Sequence, residues 1–198
     1  MMRLALAVIM VLVFVPSLLL AQTAAPQRDE PTTKFEKVLL TKGSLGIREY
    51  YSLGYMAGRG GSADFEIGSF YAPGSPNRTS ALRITVKEGG RLERERIGVL
   101  DREEVISLNK VIPQMMKMAE TLKQGQKDSE ENGSTEVVFS GGSLRFTAFV
   151  GRRRDEGLVI QAGSIAPTQA LFGLTDLTRV GELIEQAITK MQALDQKK

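Results

Sequence analysis

The 198-residue chain contains no cysteine, no histidine and no tryptophan. Without cysteine there is no disulfide, so stability rests on packing, and no thiol is present to carry a lipid. Without cysteine or histidine the chain cannot build a standard structural zinc site, a thiol nucleophile or a Ser-His-Asp triad. Any catalysis would fall to Asp, Glu, Lys, Tyr or Ser. A strong charge of one sign is also missing: 26 basic residues face 23 acidic ones. That is a mixed surface, unlike the basic excess typical of nucleic-acid binders.

The long apolar run is confined to the start of the chain. Met1–Arg3 gives a short positive beginning, Leu4–Val15 is unbroken apolar sequence, and Pro16 and Ala21 follow. This pattern reads as a signal peptide over residues 1–21, cleaved near Ala21, with a periplasmic or secreted product. The alternative is an uncleaved membrane anchor, for which the 18 residues Leu4–Ala21, one of them proline, lie at the lower limit of length. Cleavage would remove only Arg3 among the charged residues, leaving 177 residues with 25 basic and 23 acidic side chains. No transmembrane span is expected after cleavage.

Residues 22–34, polar and with two prolines, read as a flexible linker. Phe35–Leu40 and Leu45–Tyr51 are expected to form a hairpin across "TKGS", with Leu45, Ile47 and Tyr51 inward and Glu49 spoiling that face. "GYMAGRGGS" (Gly54–Ser62) reads as a glycine-rich loop and "ADFEI" (Ala63–Ile67) as a strand with Phe65 and Ile67 inward. "ALRITVKE" follows, with Leu82, Ile84 and Val86 inward. A tight turn at Gly89–Gly90 would set Val86 opposite Glu93 and Ile84 opposite Glu95, which suits an exposed edge.

Asp101 and Glu104 have capping-box spacing, and Val105, Leu108, Ile112, Met115, Ala119 and Leu122 then recur at helical intervals. Pro113 predicts a kink or break in that helix. Residues 125–134 read as a linker loop. A second hairpin, "TEVVF" to "LRFTAFV", turns at "SGGS" with Leu144, Phe146, Ala148 and Val150 on one face. "LVIQA", a short segment from Ser164 to Phe172 that contains Pro167 and is an edge strand at best, and a last helix from near Thr175 complete the chain; that helix carries Leu177, Val180, Ile184, Ala187, Met191 and Leu194.

"VLLTKGSL" (Val38–Leu45) and "VVFSGGSL" (Val137–Leu144) nearly repeat one another. Read as a duplication, residues 35–124 and 135–198 are two sheet-plus-helix units, and Gly43 should superpose on Gly142. The expected fold is one compact α+β body, an antiparallel sheet built from two tandem hairpin-strand-helix repeats with two long amphipathic helices packed on it.

Few residues suggest chemistry. The glycine-rich run lacks phosphate-loop spacing and an immediately following helix, so no cofactor is expected. Arg152, Arg153 and Arg154 cluster at a charged turn and are the anion-site candidate, weakened by the adjacent Asp155 and Glu156. Met115, Met116 and Met118 offer core or an adaptable surface, with at least one of the last two partly exposed. Tyr50, Tyr51, Tyr55 and Tyr71 either line a groove or are ordinary strand residues. No carboxylate pair flanks a recognisable cleft, and no metal site is expected.

"ALRITV" and "RIGVLDREEVISL" give the chain a loose similarity, over about residues 35–195, to exported bacterial proteins of unknown function. The duplicated sheet-then-helix pattern resembles the Whirly-type single-stranded DNA binders. It departs from them in the signal peptide, the near-neutral charge and the lack of an evident aromatic-plus-basic strand face. The sequence therefore points to an exported, non-catalytic binding or scaffolding protein; its ligand is not identified by any motif, and an anionic surface or an envelope component is the candidate partner. The alternatives are a hydrolase or transferase using carboxylates or a Ser-Lys pair and, less favoured, a nucleic-acid-binding module.

Overall fold

The computed structural model describes residues 30–43, 45–90, 93–125, 134–151 and 155–196. The fold is α+β, with two four-stranded antiparallel sheets and three helices among the described residues. A short helix α1 (Lys34–Leu39) precedes the first sheet, whose strands β1 (Ile47–Gly58), β2 (Gly61–Tyr71), β3 (Arg78–Glu88) and β4 (Arg94–Asp101) pair in chain order. Helix α2 (Arg102–Gly125) leads to the second sheet: β5 (Thr135–Gly141), β6 (Leu144–Val150), β7 (Glu156–Ala162) and β8 (Thr168–Phe172). Helix α3 (Asp176–Asp195) ends the described chain.

Each sheet has an inner and an outer face because alternate side chains point opposite ways. The inner faces hold Phe65, Ile67, Leu82, Ile84 and Leu100 of the first sheet and Phe146, Leu158, Ile160 and Phe172 of the second, all buried. The two sheets meet directly, β2 and β3 against β8 and β3 against β7, and α2 and α3 lie side by side against them. α3 packs on β1–β3, and α2 packs most closely on β5 and β6, so each helix serves the sheet of the other half. Every expected stripe residue of α3 is buried, as are Val105, Leu108, Ile112, Met115 and Ala119 of α2. Leu183 widens the α3 stripe and meets β1 at Gly54, where a Cβ would come within 2.9 Å of its Cδ2.

Several sequence expectations need correction. Residues 34–39 are helical, so the first hairpin does not form. Thr33 and Glu36 make a complete capping box, and local capping with one buried anchor, Phe35, outweighs the strand-like composition. Leu45 and Ile47 are exposed instead of inward. The glycine-rich run is strand on both sides of a two-residue turn at Arg59–Gly60. The antiparallel strands form two separate sheets, and a third helix is present beyond the two expected. α2 continues through Pro113 without a break. Pro113 is exposed, its ring lies on the solvent side, and the buried stripe holds both flanking segments.

The β3–β4 register also differs. The connection is longer than a two-residue turn, so Val86 faces Arg96 and Ile84 faces Gly98. This three-residue slide brings Leu100 opposite Leu82 and makes β4 a core strand at its C-terminal end.

Gly43 and Gly142 are not equivalent. Gly43 follows α1 in open space, whereas Gly142 turns the β5–β6 hairpin with its Cα beneath the Val99 carbonyl. A Cβ at Gly142 would lie 2.0 Å from that oxygen. The turn is bound to the first sheet by Val99 N–H donating to Ser143 Oγ (3.0 Å) and to the start of α2 by Gly142 N–H donating to Glu104 Oε1 (2.7 Å). The other oxygen of Glu104 accepts from Asp101 N–H (2.8 Å), the back-bond of the expected capping box. The Asp101 side chain, however, caps α1, accepting from the N–H groups of Lys34 (2.7 Å) and Phe35 (3.3 Å).

Candidate binding face

The outer face of the first sheet is divided by α1. Phe35 presses onto Gly68, where a Cβ would come within 2.7 Å of its ring, and Ala81 and Val99 complete this satellite core. Only glycine at position 68 leaves room for the ring. Beyond α1 the face is uncovered. There the strand register lines up two cross-strand rows, Tyr55–Asp64–Thr85–Ile97 and Ala57–Ser62–Lys87–Glu95.

A β-bulge creates this arrangement. The β1–β2 register shifts between Ser52 and Gly54, leaving Leu53 without an opposite residue. Strict alternation would place Tyr51 and Tyr55 on the same face. With the bulge, Tyr51 stays inward while Tyr50 and Tyr55 both turn outward. Tyr55 is 57% exposed and Ile97 43%. Tyr55, Ser62, Lys87, Glu88, Arg94 and Glu95 line a cleft of about 330 Å³. Its charges are paired across the surface, Lys87 with Glu95 at 3.4 Å and Arg94 with Glu88 at 2.6 Å. Further along, the Arg83 guanidinium stacks 4.4 Å from the Tyr50 ring centroid and binds Glu66 at 2.7 Å. The outer face therefore does carry aromatic and basic residues together, contrary to the sequence expectation, but with carboxylates beside the cations.

The inner end of the same sheet holds a second polar cluster. Glu49 Oε2 accepts from the Tyr51 hydroxyl (2.8 Å) and Arg78 (2.7 Å), and Oε1 from the Tyr71 hydroxyl (3.2 Å). Arg78 also stacks on Tyr71, and Lys190 of α3 on Tyr51. The Tyr51 and Arg78 hydrogen bonds hold the Glu49 carboxyl below its ordinary range, and Glu49 in turn pushes Tyr51 and Arg78 up. All three shifts deepen the charge state these groups already have at neutral pH. Glu49, the residue that spoiled the inner face in sequence, is thus the centre of a hydrogen-bonded latch.

The four tyrosines do not share one groove: Tyr50 and Tyr55 are outer, Tyr51 and Tyr71 inner. Met115 is core, and Met118 is 53% exposed on α2. Arg152, Arg153 and Arg154, with the signal-peptide segment, lie outside the described residues. Among the described residues no three His, Cys, Asp or Glu side chains are grouped to hold a metal, and no helix is long and apolar enough to cross a membrane. The open half-face was missed in sequence because the bulge breaks the alternation in β1 and because the glycines of 54–62 imitate a loop. The tyrosine spacing alone holds no sign of the phase change. The chain matches no family model and no curated protein.

Proposed function

We propose that the protein is an exported, non-catalytic binding module and that its binding surface is the uncovered half of the first sheet's outer face. The observation that carries this reading is the cleft in which an exposed tyrosine ring stands beside two cross-strand ion pairs, Lys87 with Glu95 and Arg94 with Glu88. A tyrosine face accepts the C–H edges of a sugar ring, and exposed ion pairs are weak enough to exchange one another for ligand hydroxyls. The cleft is bordered by Lys87 and Arg94 against Glu88, Glu93 and Glu95. Among the described lining residues the carboxylates match or exceed the cations, so the ligand class is a neutral or zwitterionic, hydroxyl-rich one: a glycan of the cell envelope or its surroundings.

The common element order of the halves, four antiparallel strands and then a helix, supports reading them as copies of one unit with a Whirly-like architecture.

The test is calorimetric titration of the mature protein with a panel of neutral and acetylated oligosaccharides. Tyr55→Ala should weaken the best ligand by about tenfold, or 1.4 kcal/mol. Binding of none of the panel, or equal binding by the variant, would remove the proposal.

A further inference from the structure

The two sheets expose four edges, and three of them are protected. β1 carries the bulge at Leu53, which interrupts a regular hydrogen-bonding edge. β4 is capped by the β5–β6 turn, through Val99 N–H to Ser143 Oγ and Ser143 N–H to Val99 O. β8 is met by the β1–β2 turn, where Arg59 N–H donates to Leu171 O at 2.7 Å. Among the described residues β5 has none of these devices. Its seven residues, TEVVFSG, pair regularly with β6 on one side and include no proline, lysine or bulge. They are also rich in strand-forming residues, and Val138 is 47% exposed.

We infer that β5 is a dimerisation edge, on which a second copy of this chain adds its own β5 antiparallel to form a continuous eight-stranded sheet. The occupant is identified by self-complementarity. Pairing about a two-fold axis through Val138 sets Val138 against itself, Val137 against Phe139 and Glu136 against Ser140. Each pair keeps to one face of the sheet. Val137 and Phe139, which are partly buried against the core, thereby extend it across the axis. On the outer face, Arg145 lies directly across from Ser140, and its Nε reaches that hydroxyl at 3.4 Å, so it leans toward the edge. Glu136 of the second copy arrives on the other side of the same Ser140. Neither Glu136 nor Arg145 has an ion-pair partner among the described residues. The symmetric arrangement supplies each with one, twice over. It also joins the apolar outer row Val138–Thr147–Val159–Leu171 of one copy to that of the other.

Sedimentation velocity of the mature protein from about 1 to 100 μM reads the association directly. The expected result is a reversible dimer whose Kd rises about tenfold or more in Glu136→Arg and in Arg145→Glu, and returns toward wild type in the double charge reversal. A wild-type monomer throughout that range, or a dimer indifferent to both reversals, would overturn the inference. A second reading does not depend on the charged variants folding. Because the chain lacks cysteine, Val138→Cys places a single thiol at the proposed axis. Mild oxidation should link it into a dimer far faster than it links Val159→Cys, two strands away on the same face. Equal cross-linking rates for the two would contradict the pairing.

Discussion

The outer faces of the two sheets have the same strand order and opposite characters. The first is half covered by α1 and, where open, presents tyrosine beside paired charges. The second has no helix over it among the described residues and carries an apolar row, Val138, Val159 and Leu171, interrupted by Thr147. Both inner faces are apolar because both must cover a helix. Apart from the patch beneath α1 the outer faces answer to no such demand, and they diverge. The cross-packing of α2 and α3 makes this divergence possible, since the core binds the halves together whatever the outer faces do.

The comparison can be broken most severely at the joint between the sheets. Gly142→Ala should cost about 3 kcal/mol or more, because φ is +49° and the new Cβ would strike the Val99 carbonyl. Gly43→Ala, at φ +80° in open space, should cost about 1–2 kcal/mol. Chemical denaturation of both variants checks the difference, and equal losses would show that the β5–β6 turn can shift away.

Removing the cover from the first face should have the next largest effect. Phe35→Ala takes away the one buried side chain of α1, at about 3 kcal/mol of docking energy. Hydrogen exchange should then find residues 34–39 unprotected and the second sheet unchanged, leaving the first outer face as bare as the second. Asp101→Ala removes the cap that β4 supplies to α1 and should loosen the same segment by about 1 kcal/mol. Slowed exchange, or no change, in α1 of that variant would refute the capping role.

A smaller effect is expected from pH. Glu49 is depressed by the Tyr51 hydroxyl and Arg78, and Glu103 by a backbone hydrogen bond and Lys34. A depressed carboxyl stabilises the folded state above its unfolded value, near 4.5, and loses that contribution as pH falls through its folded value. Thermal stability should therefore decline below about pH 4.5, with a shallower decline in Glu49→Gln. An unchanged slope in that variant would mean the latch contributes nothing.

Helical periodicity made α2 and α3 legible in sequence, since a buried stripe of large apolar residues imposes a 3.6-residue repeat that loops do not imitate. Alternation did the same for Phe65–Ile67, Leu82–Val86 and Leu144–Val150. What could not be read was set by neighbours distant in the chain. Gly68 is a strand residue chosen for the Phe35 ring, and Gly142 for the Val99 carbonyl. "VLLTKGSL" and "VVFSGGSL" look alike, but the first follows a capping box at Thr33 and the second follows a regular strand. The candidate face depends on one bulge, which no local composition announces.

Hydrogen exchange of the protein with and without the best-binding oligosaccharide tests the central claim most directly. The account predicts slowed exchange over Tyr55–Glu66 and Thr85–Ile97, with little change at Gly151–Asp155. Protection centred instead on Gly151–Asp155, the segment that holds Arg152, Arg153 and Arg154, would contradict it and place the binding site at the charged turn.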